Sequence, residues 1–215
     1  RCSRDWSSDV CSSDLLPTLA LFGAGGKMGY RLTRNLRNSD YTVHHIEVNP
    51  QGREKLAQDF GIECVTPEVV LKNTDAVILA VPDTVIGKIA AAIEPHLKPG
   101  TMIITLDAAA PFAGHLPKRS DLIYFVTHPC HPSIFNNSPS EEARLDRFGG
   151  LAAPQSIVNS LMQGPEDAYA IGEAIAKTIY APVLRSYKLT VEQMALLEDR
   201  KSTRLNSSHG YISYA

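Results

Sequence analysis

The chain has 215 residues and a formal net charge of −2, with 44% hydrophobic and 20% charged residues, the profile of a soluble globular protein with room for one good core, or one core and part of a second. That balance argues against a nucleic-acid-binding protein and against an acidic or basic interaction tail, and no apolar run reaches membrane-spanning length. Cys2, Cys11, Cys64 and Cys130 follow no metal-binding or redox spacing and are too few for a disulfide framework, so a reducing cytoplasm is the expected compartment.

In chain order, residues 1–15 (RCSRDWSSDVCSSDL) come first. They are serine-rich and aperiodic, and without a continuous apolar stretch they are no signal peptide. They resemble a translated sequencing-adapter segment, and the expectation is a non-native flank, a natural disordered tail being the alternative. Leu19 to Phe22 is a short apolar strand ended by Gly23-Ala24-Gly25-Gly26-Lys27-Met28-Gly29, after which Met28, Leu32 and Leu36 recur at helical spacing. Thr42 to Val48 predicts a second strand, Arg53 to Phe60 a helix closed by Gly61, and Ile62 to Val65 a short third strand. Ala76 to Val81 is continuously apolar, as in a strand covered on both faces. Asp83 is placed to cap a helix running to about His96. Strands follow at Thr101 to Leu106 and Leu122 to Val126, the latter running into Thr127-His128-Pro129-Cys130-His131-Pro132. Ser156 to Met162 predicts a strand, Pro165 to Tyr180 a helix, and Val183 to Leu189 a last strand. A helix beginning at Thr190 breaks off after Glu198 into an unpatterned second flank, residues 201–215. Alternating strands and helices predict an α/β fold, a Rossmann-type doubly wound, mostly parallel sheet. The expected organisation is an NAD-binding domain over residues 16–189 and the start of a truncated helical domain over 190–200.

A strand that feeds a glycine turn into a helix is a phosphate cradle. Glycines let the backbone approach the pyrophosphate, and the helix N-terminus supplies unpaired N–H groups. Gly23 and Gly25 fit the first two places of G-x-G-x-x-G, but Met28 holds the third; read as G-x-x-G-x-x-G, Gly23, Gly26 and Gly29 all fit. The candidate cofactor residues are therefore Gly23, Ala24, Gly25, Gly26, Lys27 and Met28 in the turn. Glu47 joins them, near the roughly 20-residue offset of a ribose-binding carboxylate. A carboxylate there favours NAD, because it would repel the 2′-phosphate of NADP. Arg53 is the nearby cation that could serve a phosphate instead. Pro82 and Asp83, after the next buried strand, complete the set, although Asp83 also suits a plain helix cap. Asp107 invites the same caution.

His128 and His131 lie where a buried strand leaves the sheet, stiffened by Pro129 and Pro132. Histidine is the natural acid–base group at neutral pH and a common metal ligand, so both are candidate catalytic residues. Cys130 between them shows nothing that would activate a thiolate.

Several runs together resemble the D-apionate oxidoisomerase family, relatives of 6-phosphogluconate and other β-hydroxyacid dehydrogenases. They are the glycine turn, Ala80-Val81-Pro82-Asp83, Leu106 to Pro111, Thr127 to Pro132, and Thr190 to Glu198. The resemblance spans Leu16 to Glu198; the glycine motif is generic, the histidine segment and last helix specific. It implies NAD-dependent oxidation of the 2-hydroxyl of a branched sugar acid, D-apionate, then an α-ketol rearrangement to 3-oxo-isoapionate. It also implies a helical C-terminal domain, mostly absent here, that closes the site and pairs subunits into a homodimer. A Lewis acid would assist the rearrangement, and His128 with Glu198 is the expected ligand pair for a divalent metal. Simple β-hydroxyacid dehydrogenation and a non-catalytic NAD-binding fragment are the competing expectations.

Overall fold

Three runs that read as covered strands are covered: β1 (Leu19–Phe22), β3 (Ala76–Leu79) and β4 (Met102–Thr105) are buried at every residue in the computed structural model, which describes residues 16–131, 140–146 and 152–197. Side chains alternate across a strand, and here each face meets its own core. Leu19, Leu21, Ile78 and Ile104 join Leu32 and Leu36 of α1 (Lys27–Leu36) and Ile175 and Ile179 of α7 (Ala168–Ile179). Ala20, Phe22, Val77 and Ile103 join Ile86, Ala90 and Ile93 of α4 (Asp83–Ile93). Two apolar faces need two layers of helices, which is the doubly wound arrangement.

The remaining elements are β2 (Val43–Ile46), α2 (Pro50–Phe60), α3 (Pro67–Val70), α5 (Ala109–Phe112), β5 (Ile123–Cys130), α6 (Glu141–Leu145), β6 (Gln155–Gln163) and β7 (Val183–Lys188). Residues 191–197 are helical. The seven strands form one sheet in the order β2-β1-β3-β4-β5-β6-β7. Neighbours are parallel except for β5 and β6, whose antiparallel pairing turns the last two strands around. β2 lies on one side of β1 and β3 on the other, so the strand order switches at β1. The carboxyl edge there opens the crevice in which such sheets bind ligands.

The structure corrects several boundaries. Residues 62–65 form no strand: Gly61, at φ +67°, caps α2, Pro67 opens α3, and the few residues between make one ladder-like bond, from Val65 N–H to the His45 carbonyl. Helix α2 begins at Pro50, not Arg53, because Asn49 caps it by accepting from the Gln51 N–H at 3.0 Å. Asp83 is the first residue of α4 rather than its cap; Pro82 holds that place, and no side chain caps this end. Helix α7 starts at Ala168, after a turn over residues 165–167. The histidine segment does not leave the sheet at Val126. It continues β5 to Cys130, because β6 supplies partners, Asn159 for Thr127 and Val158 for His128.

Candidate functional site

The glycine turn sits at the switch point. Gly23 follows β1 with φ +72°, and a Cβ there would lie 2.4 Å from the Ala80 carbonyl oxygen at the end of β3. A Cβ on Gly29 would lie 2.0 Å from the Gly23 carbonyl oxygen. Turn and helix touch backbone to backbone at Gly29, so the structure selects the spacing that ends at Gly29. Met28 packs partly buried against the core. Ala24 is fully buried and Gly25 half-buried, while Gly26 and Lys27 are exposed and open the N-terminus of α1. That end has no side-chain cap and no acidic residue in its first turn, so its positive potential suits an anion.

Glu47 directly follows β2 beside this turn and is only 6% exposed. Its Oε2 accepts the Gly25 N–H at 2.7 Å and its Oε1 accepts the Asn49 N–H at 2.8 Å. The Arg53 guanidinium donates to the Glu47 backbone carbonyl. The carboxylate is thus first a brace that ties the phosphate turn to the start of α2. Each oxygen keeps one further lone pair for a hydroxyl, so the arrangement fits a dinucleotide. Gly52 completes it, since a Cβ on Gly25 would lie 2.6 Å from the Gly52 Cα.

Further along the same edge, Asp83 and Asp107 follow β3 and β4, and His128 lies among the last residues of the neighbouring β5, beyond the end of β4. His128 is half-buried, with Nδ1 3.0 Å from the Leu106 carbonyl oxygen and 3.9 Å from Asp107 Oδ2. A carbonyl only accepts, so Nδ1 carries the hydrogen and the lone pair of the neutral ring sits on Nε2. Burial, reinforced by the Asp107 carboxylate, pushes the Asp83 carboxyl up from its ordinary value. His131 is exposed one residue beyond β5. Glu198 lies outside the described residues, among which no three His, Cys, Asp or Glu side chains are grouped to hold a metal ion. The sequence reading passed over Gly52 and the Leu106 carbonyl and discounted Asp107. A glycine in the first turn of a helix and an acid at a strand's carboxyl end were the available signals.

Sheet order and the turn at its switch point define the class, a Rossmann-type nucleotide-binding oxidoreductase. Residues 18–109 match the family described as NADP oxidoreductase, coenzyme F420-dependent, and residues 136–208 match the C-terminal domain of decarboxylating phosphogluconate dehydrogenase. A D-apionate oxidoisomerase of Cupriavidus necator is 67% identical over 180 residues, 84% of this chain and 65% of that protein. One from Rhizobium rhizogenes is 61% identical over 183 residues, 85% of this chain and 66% of that protein. The crystal structure of a semialdehyde dehydrogenase NAD-binding protein from Cupriavidus necator, in complex with calcium and NAD, superposes with a TM-score of 0.87 at 61% identity. The match covers 92% of this chain and 71% of that one. Over 84–85% of its length the chain is similar to these D-apionate oxidoisomerases, and it spans just under two thirds of the length of the two.

Proposed function

We propose that this chain carries the NAD site and the catalytic base of an oxidoisomerase that converts D-apionate to 3-oxo-isoapionate. The observation that carries the reading is His128, an imidazole with its Nδ1 on the Leu106 carbonyl, on the same sheet edge as the glycine turn. Four strands, β1, β3, β4 and β5, separate the turn from the base by three strand spacings, about 14 Å. The names of the curated relatives and the NAD of the Cupriavidus structure support substrate and cofactor. Glu47 favours NAD because its carboxylate would face a 2′-phosphate with like charge.

The acceptor for the hydride that leaves C2 of the substrate would be supplied by NAD bound at the glycine turn. Gly25, Gly26 and Lys27 present the helix N-terminus that holds its phosphates, and Glu47 accepts from the adenosine ribose. His128 takes the proton of the 2-hydroxyl on Nε2 as the alcohol becomes a ketone. The rearrangement that follows changes no oxidation state. A hydroxymethyl group migrates from C3 to C2, the C3 alcohol loses its proton, and the former ketone oxygen gains one, so a single imidazole can take and return it. His131, exposed beside the segment, is the second proton carrier. The calcium of the Cupriavidus structure agrees with a divalent ion in the family, but the described residues of this chain do not by themselves fit one, and the proposed steps run on His128. A cytoplasmic location and a paired subunit belong to the same reading, on cysteine usage and the family resemblance.

The test is turnover of D-apionate with NAD, followed by NADH absorbance and product identification by NMR. His128→Ala should lower kcat by about 10²–10⁴-fold with NAD affinity unchanged. Accumulation of the 2-oxo acid alone would reduce the function to plain dehydrogenation. An unchanged kcat in the variant would remove His128 from the mechanism.

A further inference from the structure

Asp107 is held by one carboxylate oxygen and points the other at His128. Its Oδ1 accepts the Ala109 N–H at 2.8 Å, at the start of α5, which fixes the side-chain rotamer. Its Oδ2 then lies 3.9 Å from His128 Nδ1. That is too long for a hydrogen bond and short enough for electrostatic coupling in a half-buried setting. The hydrogen bond itself comes from the preceding residue, through the Leu106 carbonyl at 3.0 Å. Two consecutive residues just past β4 therefore face the same nitrogen of one imidazole, the Leu106 carbonyl as its hydrogen-bond acceptor and the Asp107 carboxylate as a nearby charge. The same carboxylate is felt by Asp83, whose carboxyl it helps to push up.

We infer that Asp107 is a positioning residue for His128, which with the Leu106 carbonyl keeps the ring hydrogen on Nδ1 and directs the Nε2 lone pair to the substrate. A carbonyl alone would accept from Nδ1 but would not oppose a flipped ring strongly. A carboxylate on that side opposes it, since flipping removes the N–H dipole from a negative charge. The inference rests on the proposed role of His128 as the base, and it assigns a second strand, β4, a part in the same chemistry. Asp107 touches no reacting atom; it acts through the imidazole.

The test reads the ring directly. In chain labelled with ¹⁵N at histidine, the Nδ1 and Nε2 shifts of His128, assigned by its loss in His128→Ala, report the tautomer. Asp107→Asn keeps an acceptor for Ala109 but loses the charge, and Asp107→Ser keeps the acceptor in a shorter side chain, so neither change removes the turn. The expected result in both is a shift of the hydrogen from Nδ1 toward Nε2. In steady-state assays the same variants should show a kcat at least about tenfold lower, with KM and NAD affinity within about twofold. A His128 tautomer unchanged in both variants would overturn the inference, as would a fall in kcat matched by an equal loss of NAD binding. A clear tautomer shift in a chain that never oxidises a sugar acid would uphold Asp107 and sink the oxidoisomerase reading instead.

Discussion

The backbone N–H of Gly25 donates to Glu47 Oε2 at 2.7 Å, so the carboxylate that follows β2 holds the loop that follows β1. Two neighbouring strands thereby share one recognition device. The turn offers N–H groups to a phosphate, and the acid that fixes the turn is the acid proposed to accept from the ribose.

Glu47→Gln tests the brace. A glutamine amide accepts from Gly25 or Asn49 but turns its NH₂ toward the other, and at 6% exposure water does not easily replace the lost acceptor. The expected cost is about 1–3 kcal/mol of stability, read by urea unfolding. Glu47→Ala should also narrow the preference for NAD over NADP in paired titrations. Tighter binding of NADP by the unmodified chain would transfer the discrimination to Arg53.

The three glycine contacts predict a rank order. A methyl at position 29 would lie 2.0 Å from a carbonyl oxygen and one at position 25 would lie 2.6 Å from the Gly52 Cα; one at position 52 would meet Glu47 Cγ at 3.0 Å and the Gly25 Cα at 3.3 Å. Backbone cannot yield as a flexible side chain can. Loss of NAD affinity should therefore be greatest for Gly29→Ala, next for Gly25→Ala and least for Gly52→Ala. In the last, a gain in helix propensity of up to about 1 kcal/mol offsets part of the crowding. Isothermal titration of the three variants gives the order, and a Gly52→Ala loss larger than that of Gly29→Ala would contradict it.

The parts of this site that sequence made visible are those with a local pattern. Leu19 to Phe22, Gly23 to Gly29 and Glu47 lie in one strand–turn–helix–strand unit, and their roles follow from spacing. Sheet order was legible as a class, because apolar runs such as Ala76–Leu79 need cover on both faces. What sequence could not show depends on contacts across the fold. The antiparallel β5–β6 pairing extends the strand through His128, and the Thr127 hydroxyl donates to Asn159 Oδ1 32 residues away, at 2.5 Å. Asp107 and His128 are 21 positions apart and meet only because β4 and β5 are neighbours. Residues 62–65 failed as a strand for a related reason. They lie beside the edge strand β2 but make only one bond to it, from Val65 N–H to the His45 carbonyl, before Pro67 opens α3, and a run this short has no intrinsic preference strong enough to extend the ladder.

Gly172 allows α7 to lie against the sheet. A Cβ there would lie 2.5 Å from Phe125 Cδ2 and 2.6 Å from Cε2. The ring is fully buried and packs against Tyr169 with centroids 5.7 Å apart, so it has little room to retreat. Gly172→Ala gains about 1 kcal/mol of helix propensity and loses about 1–3 kcal/mol to overpacking. The net expectation is destabilisation, seen as a lower Tm with NAD affinity kept. A higher Tm would mean that Phe125 has space to move.

His45 should make stability depend on pH. It lies on β2 with its Nε2 buried and without a hydrogen-bond partner among the described residues. Burial, then the neighbouring His44, pushes its value down from 6.5 to about 4. The folded chain therefore holds His45 neutral, while below pH 6.5 the unfolded chain gains a proton there. This contribution is fully present above pH 6.5, declines as the pH falls from 6.5 toward 4, and is exhausted below 4. One pH unit is worth about 1.4 kcal/mol, so the whole window carries at most about 3 kcal/mol. Other histidines and carboxylates titrate in the same range, and the comparison must isolate His45. His45→Leu fills the position with an apolar side chain that cannot charge. Urea unfolding at pH 7 and pH 5 should show a smaller loss of stability on acidification in His45→Leu than in the unmodified chain. Equal losses in the two proteins would show that His45 does not resist protonation in the fold.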